Sequence, residues 1–198
     1  MEKEIIIASG NKGKIKEAQE ILKGYKIIPI KEFGVDIDVE EDKDTFEENA
    51  IKKAQTISKE LNGKMCISDD SGIEIEYLDG FPGVFTKRWH AGTDRERNLE
   101  IIKKLNGVEK SKRKITFTTA IAFAEGETVY TGVAKIDGYV AENVRGDNGF
   151  GFDEIFELEN GKTLAELTPE EKKEISARKK ALEIIKSKLK YLVLGSEI

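Results

Sequence analysis

Two lysines and two glycines lie in the short segment SGNKGK, which runs from Ser9 to Lys14. An apolar run precedes the segment and a helical pattern follows it, so it is expected to be a loop between a strand and a helix. The first N–H groups of a helix and the positive end of its dipole attract anions, and lysines add positive charge. The segment therefore predicts a phosphate site, although its spacing differs from that of a Walker A loop. An ordinary turn with solvent-facing lysines is the alternative.

Carboxylates form a second group of candidates. SDDSG places Asp69 and Asp70 at the predicted end of a buried strand, where alternation makes them face opposite ways. Glu40 and Glu41 lie in an acidic stretch earlier in the chain. A carboxylate at a strand end can bind Mg²⁺ or accept a proton from water, and two acids with substrate phosphates suffice for Mg²⁺. The alternatives are an Asx turn for the aspartates and a solvated loop for the glutamates.

Aromatic and cationic residues towards the end of the chain are suited to a purine base. GDNGFGFD, which ends at Asp153, alternates glycine and phenylalanine, so backbone and a ring can approach a flat ligand. Lys172 and Arg178 follow in one predicted helix, where Arg178 can donate to the 6-oxo group of a purine. Adenine carries a donor at that position, and two facing donors leave each other unpaired. Phenylalanines of the core and surface cations are the alternative explanations.

Strands and helices alternate in the first half of the chain, and long strands dominate the middle. Strand patterns cover residues 4–9, 26–30, 65–68, 73–77, 115–124 and 128–140. Helices are expected after the SGNKGK loop, from Thr45 to Leu61, from Thr93 to about Leu105, and from Thr168 to about Leu189. These patterns predict an α/β fold with a central mixed sheet flanked by helices.

Composition narrows the functional classes. A chain of 198 residues is expected to form one domain, residues 1–198. The net charge of −5 and pI of about 5.3 argue against a nucleic-acid binder. Cys66 and His90 are the only cysteine and histidine, which excludes an intrachain disulfide, a cysteine-based zinc site and most Ser-His or Cys-His machinery. No signal peptide or membrane-length apolar segment is evident, so a cytoplasmic protein without membrane partners is expected.

The order and spacing of these blocks closely resemble the inosine/xanthosine triphosphate pyrophosphatase family, also called Ham1-like. The resemblance extends nearly from end to end through SGNKGK, TFEENA, DDSG with GFPGVFTKRW, NGFGFD and KTLAELTPEEKKEISARKKAL. It implies a mixed sheet with helices around it, a long cleft between two lobes, dependence on Mg²⁺ and a homodimer. It also implies hydrolysis of inosine, deoxyinosine and xanthosine triphosphates to monophosphate and pyrophosphate.

The resemblance assigns roles to residues of this chain. The triphosphate is expected to contact Ser9, Gly10, Asn11, Lys12, Gly13 and Lys14. Asp70 is the expected base and metal-linked carboxylate, Ser71 touches substrate, and Glu40 or Glu41 assists the metal. The base is expected to contact Phe150, Gly151, Phe152, Asp153, Lys172 and Arg178.

The last helix departs from the family at one position. The family usually has Ser-His-Arg there, whereas this chain has Ala177 between Ser176 and Arg178. Because the histidine contacts the base in the family, its absence keeps open a related pyrophosphatase of other modified nucleotides. A non-catalytic nucleotide-binding protein is the other alternative, and the presence of Asp70, Lys14 and the two glutamates argues against it.

Overall fold

A computed structural model describes residues 3–34 and 37–195 of the chain. The strands are β1 (Lys3–Ile7), β2 (Tyr25–Pro29), β3 (Cys66–Ile75), β4 (Lys114–Glu125), β5 (Thr128–Val140) and β6 (Phe156–Glu157). The helices are α1 (Lys12–Ile21), α2 (Phe46–Glu60), α3 (Asp94–Lys104), α4 (Pro169–Ile175) and α5 (Ala177–Gly195). Asp36, the first residue of the predicted acidic stretch, lies outside the described residues.

Within the described residues, six strands form one sheet in the order β2-β1-β3-β4-β5-β6. Strand β1 is parallel to both β2 and β3, and β5 is antiparallel to β6. The sheet is therefore mixed, as predicted. None of the described helices has both the length and the apolar character that crossing a bilayer requires.

The chain divides into two compact units. Unit 1 comprises Met1–Asp70, Thr119–Ala134 and Ala177–Ile198, and unit 2 comprises Ser71–Thr118 and Lys135–Ser176. Strands β3, β4 and β5 each contribute residues to both units.

Unit 1 buries an apolar cluster on each side of its strands. Ile5, Ile7 and Ile67 pack with residues of α1 and α5, whereas Ile6 and Cys66 pack with Ile57 and Leu61 at the end of α2. Neighbouring residues of β1 thus belong to different clusters, as the alternation of strand side chains requires. Unit 2 has its own core, which includes Ile73, Ile75, Ile101, Leu105, Phe156 and Leu164.

Helix starts follow the sequence signals closely. Thr93 with Glu96 and Thr168 with Glu171 form capping boxes, and Pro169 occupies the first turn of α4. Thr45 caps α2 by accepting a hydrogen bond from the Glu48 N–H group. These short-range contacts explain why the predicted starts of α2, α3 and α4 are confirmed. In contrast, α1 begins at Lys12, inside the segment that was predicted to be a loop, because Asn11 caps it there.

The segment around DDSG differs from the prediction. Strand β3 continues from Cys66 to Ile75 without interruption, so Asp69 and Asp70 lie inside the strand and not at its end. Asp, Ser and Gly favour turns in isolation, and this preference suggested a strand end. The aspartates have polar partners on both faces of β3, described below, and these tertiary contacts override the local preference.

The prediction of a single last helix, from Thr168 to about Leu189, is also wrong. Ser176 adopts φ −52° and ψ 117°, which ends α4 and separates it from α5. Ile175 packs against the core of unit 2, whereas Ala181 and Leu182 belong to a core of unit 1. Lys172 and Arg178 therefore lie on different helices and in different units, not on one helix as predicted.

Candidate functional site

Strand β3 presents its two adjacent carboxylates to opposite faces, as predicted. The carboxylate of Asp69 contacts Lys14 at the start of α1, whereas that of Asp70 contacts Asn49 in α2. The face of Asp70 also carries Ser68, whose hydroxyl donates to the Ala50 carbonyl oxygen over 2.6 Å. One strand thus supplies two chemically different carboxylate environments.

Asp69 is the centre of a cluster of charges. Its Oδ2 atom lies 2.6 Å from Lys14 Nζ and 3.5 Å from Arg178 NH2, and only 9% of its side chain is exposed. Arg178 NH1 also lies 3.7 Å from Glu17 Oε2. Burial by itself raises the pKa of Asp69, but the charges of Lys14, Arg178 and Lys53 and the hydrogen bond from Lys14 outweigh burial and lower it. Asp69 is therefore ionised at neutral pH and holds the two cations together.

The SGNKGK segment contains the start of α1, and Asn11 determines its local conformation. Asn11 Oδ1 accepts hydrogen bonds from Gly13 N over 2.8 Å and from Lys14 N over 3.2 Å, so it caps α1. Ser9 Oγ accepts from the N–H group of Asn11. Two of the N–H groups that the sequence suggested for phosphate binding are thus already bonded to Asn11, while Lys12 is exposed and Lys14 extends to Asp69.

A further cation lies beside this loop. The side chain of Lys31 is so close to Gly10 that a Cβ atom built on the glycine would lie 3.6 Å from Lys31 Nζ. No sequence motif pointed to Lys31, because it belongs to the segment after β2 and approaches the loop only in the folded chain.

Asp70 is buried and oriented by an amide. It is 6% exposed, and its Oδ2 atom accepts from Asn49 Nδ2 over 3.1 Å. Asn49 is 1% exposed, and its Oδ1 atom accepts from the Lys43 N–H group over 2.9 Å. The acidic loop therefore fixes the amide of Asn49, and the amide in turn directs an oxygen of Asp70.

The structure separates the two candidate glutamates. Glu41 is partly buried and pairs with Lys53, whose Nζ atom is 3.5 Å from the Asp69 carbonyl oxygen. Glu40 is exposed. Lys53 thus links Glu41 to β3, and it is a residue that the sequence analysis did not identify.

The oxygen donors of this region suit Mg²⁺. Among the described residues, no group of three or more acidic, histidine or cysteine side chains is placed to hold a metal ion. Mg²⁺ is commonly bound by only one or two carboxylates together with substrate phosphates. The buried carboxylate of Asp70 and the partly buried carboxylate of Glu41 fit that mode of binding, and both side chains are already held by neighbours.

In unit 2, GDNGFGFD forms a loop that exposes one ring and buries the other in part. Phe150 is 72% exposed and lies between Gly149 and Gly151, which have φ angles of 113° and 63°. Phe152 instead packs against the core of unit 2. The two phenylalanines therefore have different environments, although the sequence assigned both to the base.

Asp153 and Lys172 form an ion pair beside the exposed ring. Lys172 Nζ lies 2.5 Å from Asp153 Oδ2, and the same oxygen accepts from the Phe150 N–H group over 3.1 Å. A Cβ atom at Gly149 would collide with both charged groups, so this position requires glycine. The aromatic ring, the acid and the lysine predicted for base binding are thus brought together.

Each unit therefore gathers part of the predicted site. Unit 1 contains Ser9, Gly10, Asn11, Lys12, Gly13, Lys14, Glu40, Glu41, Asp70 and Arg178. Unit 2 contains Ser71, Phe150, Gly151, Phe152, Asp153 and Lys172. The sequence analysis named Asp69 as a candidate carboxylate but gave it no role of its own. It missed Asn49, which lies in the TFEENA block, and Lys53 and Lys31, which no motif marks.

Trp89 and Cys66 have structural environments. Trp89 packs against Phe81 with ring centroids 5.0 Å apart, and it borders the core of unit 2. Cys66 is fully buried, and burial raises the pKa of its thiol to about 12, so it is an inert core residue.

Comparison with known proteins gives concordant matches. A model of the Ham1 family matches residues 5–188. The chain is 46% identical to the dITP/XTP pyrophosphatase of Bacillus subtilis, over 91% of this chain and 93% of that protein. It is 42% identical to the dITP/XTP pyrophosphatase of Caldanaerobacter subterraneus subsp. tengcongensis, over 90% of this chain and 92% of that protein. The structure of a HAM1 protein from Coxiella burnetii superposes with a TM-score of 0.88 at 38% identity, covering 96% and 99% of the two chains.

Proposed function

The chain belongs to the Ham1 family, and on that premise we propose that it hydrolyses non-standard purine nucleoside triphosphates to monophosphate and pyrophosphate. The expected substrates are the triphosphates of inosine, deoxyinosine and xanthosine, in keeping with the dITP/XTP pyrophosphatase activity named for its relatives. The observation that carries the proposal is the strand β3, where a buried carboxylate oriented by Asn49 adjoins one that holds Lys14 and Arg178.

Asp70 is the proposed general base. It accepts a proton from the water whose oxygen forms a bond to the α-phosphorus, while the bond from that phosphorus to the bridging oxygen breaks and pyrophosphate leaves. The hydrogen bond from Asn49 orients the carboxylate of Asp70 for this proton transfer. A base positioned in this way before substrate binds lowers the cost of orienting the water.

Lys14 is the proposed partner of the departing pyrophosphate. In the structure it is paired with Asp69, so its ammonium group is already held in place at the start of α1. Its charge and the positive end of the α1 dipole favour phosphate oxygens. Ser9 to Gly13 complete this loop around the triphosphate.

Mg²⁺ is the proposed cofactor, with Asp70 and Glu41 as its protein ligands. Glu41 is preferred to Glu40 because Lys53 holds its side chain close to β3, whereas Glu40 is exposed. When bound, the ion supplies positive charge that polarises the phosphoryl oxygens.

Recognition of the base is a further part of the proposal. Phe150 offers an exposed ring for stacking, and Asp153 and Lys172 offer an acceptor and donors beside it. Ser71 contributes a further substrate contact, and Phe152 supports the loop from the core. Arg178 donates to the 6-oxo group, which hypoxanthine and xanthine carry and adenine lacks.

The decisive experiment is an assay of pyrophosphate release with Mg²⁺, which compares the triphosphates of inosine, deoxyinosine, xanthosine, guanosine and adenosine. We expect kcat/KM to be highest for the first three and to fall to background when Mg²⁺ is chelated. Release of orthophosphate alone, or equal rates for all five, would contradict the proposal.

A pyrophosphatase of other modified nucleotides is the second candidate, and Ala177 is the observation that favours it. This residue is 2% exposed and has no group that can hydrogen-bond a base, whereas family members usually have histidine there. The same assay on methylated and halogenated triphosphates separates the two candidates. Binding of nucleotides without release of pyrophosphate would instead support a non-catalytic protein.

We also propose that the protein acts in the cytoplasm, where its nucleotide substrates are, and that it is a homodimer. Light scattering on the purified protein is expected to give twice the mass of 22.2 kDa. A monomer mass over the concentrations used in the assay would exclude the dimer.

A further inference from the structure

The backbone of Gly151 is bonded by two side chains of α3. Its N–H group donates to Asp94 Oδ2 over 2.9 Å, and its carbonyl oxygen accepts from Asn98 Nδ2 over 2.9 Å. Asp94 and Asn98 lie one turn apart, so both point from the same face of the helix. We propose that Asp94 and Asn98 are positioning residues that hold Phe150 in the conformation that binds the purine base.

The loop is expected to depend on such support because its exposed ring lies between two glycines. Phe150 is 72% exposed, and the glycines on either side adopt φ angles of 113° and 63°. Glycine loses more backbone freedom on ordering than other residues, so contacts must offset a larger entropic cost here. The Phe150 N–H group donates to Asp153 Oδ2, and the Phe150 carbonyl oxygen accepts from the Asp153 N–H group over 3.3 Å, so these two bonds close a turn within the loop. The contacts to Gly151 tie this turn to α3.

The two anchoring side chains are themselves fixed. Arg97 NH2 donates to Asp94 Oδ1 over 2.9 Å, and Arg97 NH1 also donates to the carbonyl oxygens of His90 and Gly92. The hydrogen bond from Arg97 lowers the pKa of Asp94, and with that from Gly151 it outweighs the effect of burial. Asp94 is therefore an anion at neutral pH, which strengthens its hydrogen bond to Gly151.

Asn98 is fixed by burial and by a second acceptor. It is fully buried, and its Nδ2 group also donates to Glu154 Oε2 over 3.1 Å. Arg95 holds the other oxygen of Glu154 over 2.8 Å. The first two turns of α3 thus contact the loop at Gly151 and again at Glu154, on both sides of the Asp153 that pairs with Lys172.

This inference rests on the proposed function, because it takes Phe150 to be the base-stacking ring. It adds that affinity for the base depends on residues that do not touch the substrate. Since the anchored loop is the same in the ground state and the transition state, loss of an anchor is expected to raise KM and to leave kcat nearly unchanged.

The experiment compares Asp94→Ala with Glu100→Ala. Both substitutions remove an acid from α3, but Asp94 bonds Gly151, whereas Glu100 pairs with Lys103 of the same helix. Half of the Asp94 side chain is exposed, so its replacement should not prevent folding. Asp94→Asn is the conservative variant, because an amide oxygen can still accept from Gly151.

We expect Asp94→Ala to raise KM for inosine triphosphate about tenfold, Glu100→Ala to leave it unchanged, and Asp94→Asn to restore most of the loss. Amide hydrogen exchange at residues 149–153, measured without substrate, should be about tenfold faster in Asp94→Ala than in Glu100→Ala. An equal rise in KM for the two alanine variants, or equal exchange rates, would overturn the inference. Lack of turnover by the wild-type protein would overturn the proposed function, while the exchange rates would still test the anchoring.

Discussion

The carboxylates of β3 and the loop around Phe150 are held by different kinds of interaction. Asp69 and Asp70 lie on a regular strand, are almost fully buried, and contact charged or amide side chains directly. Phe150 lies on an irregular loop, is largely exposed, and is restrained through the backbone of its neighbours. Substitutions in the first region should therefore affect turnover or stability. Substitutions in the second should affect affinity for the base.

The first and largest expected effect is that of Asp70→Asn. The substitution keeps the shape of the side chain but removes the base, and general base catalysis contributes about 10²- to 10⁴-fold. We expect kcat to fall by that factor while the thermal unfolding temperature changes little. Steady-state pyrophosphate release measures the first quantity and circular dichroism the second. The exposed Asp42 provides the control variant Asp42→Asn, and a kcat near the wild-type value in Asp70→Asn would remove the residue from the role of base.

Lys14→Met is expected to have the next largest effect. Methionine keeps the length of the stem but removes the charge that meets the departing pyrophosphate, and losing such a group costs roughly 10²- to 10³-fold in kcat. The exposed Lys16, on the same helix, gives the matched control Lys16→Met. Equal losses in the two variants would show that helix charge in general, and not the position of Lys14, determines the rate.

Asp69→Asn tests how much the charged cluster around Asp69 contributes to the stability of the protein. The ionised carboxylate holds Lys14 and Arg178, so we expect the free energy of unfolding at pH 7 to fall by about 1.5–3 kcal/mol. The pKa of Asp69 is lowered in the folded protein, so its stabilising effect is fully present above the ordinary value of 3.8 and is lost as pH falls below it.

Urea unfolding of wild type and Asp69→Asn across this range measures the difference. The difference in the free energy of unfolding between the two proteins should be constant near neutral pH and should shrink below pH 3.8. A gap that stayed constant at low pH would mean that the carboxylate of Asp69 does not stabilise the fold through its charge.

Phe150→Ala should have the smallest effect, and we expect it to change only the binding of substrate. Stacking of a base on an aromatic ring is worth about 1–3 kcal/mol by alanine substitution, which should appear mainly as a higher KM for inosine triphosphate. Because the ring is 72% exposed, the unfolding temperature should not change. Phe150→Leu keeps an apolar side chain without the ring, and full recovery of KM in that variant would contradict stacking.

The local features of the fold could be predicted from the sequence to a large extent. The helix starts at Thr45, Thr93 and Thr168 depend on contacts over three residues, and each was confirmed. The opposite directions of Asp69 and Asp70 depend only on the two-residue period of a strand. The break at Ser176 was missed because no proline or glycine marks it, and packing in two different cores produces it.

The sequence by itself determined the fold class, the family and most residue types of the proposed site, because ordered motifs and hydrophobic periodicity are properties of neighbouring positions. Only the tertiary structure decided that Lys14 pairs with Asp69, that Glu41 and not Glu40 approaches β3, and that Gly151 is anchored by α3. Lys14 and Asp69 are 55 positions apart, and Gly151 and Asp94 are 57 apart. Contacts over such separations depend on how the strands and helices pack, and no local pattern of residues specifies that packing.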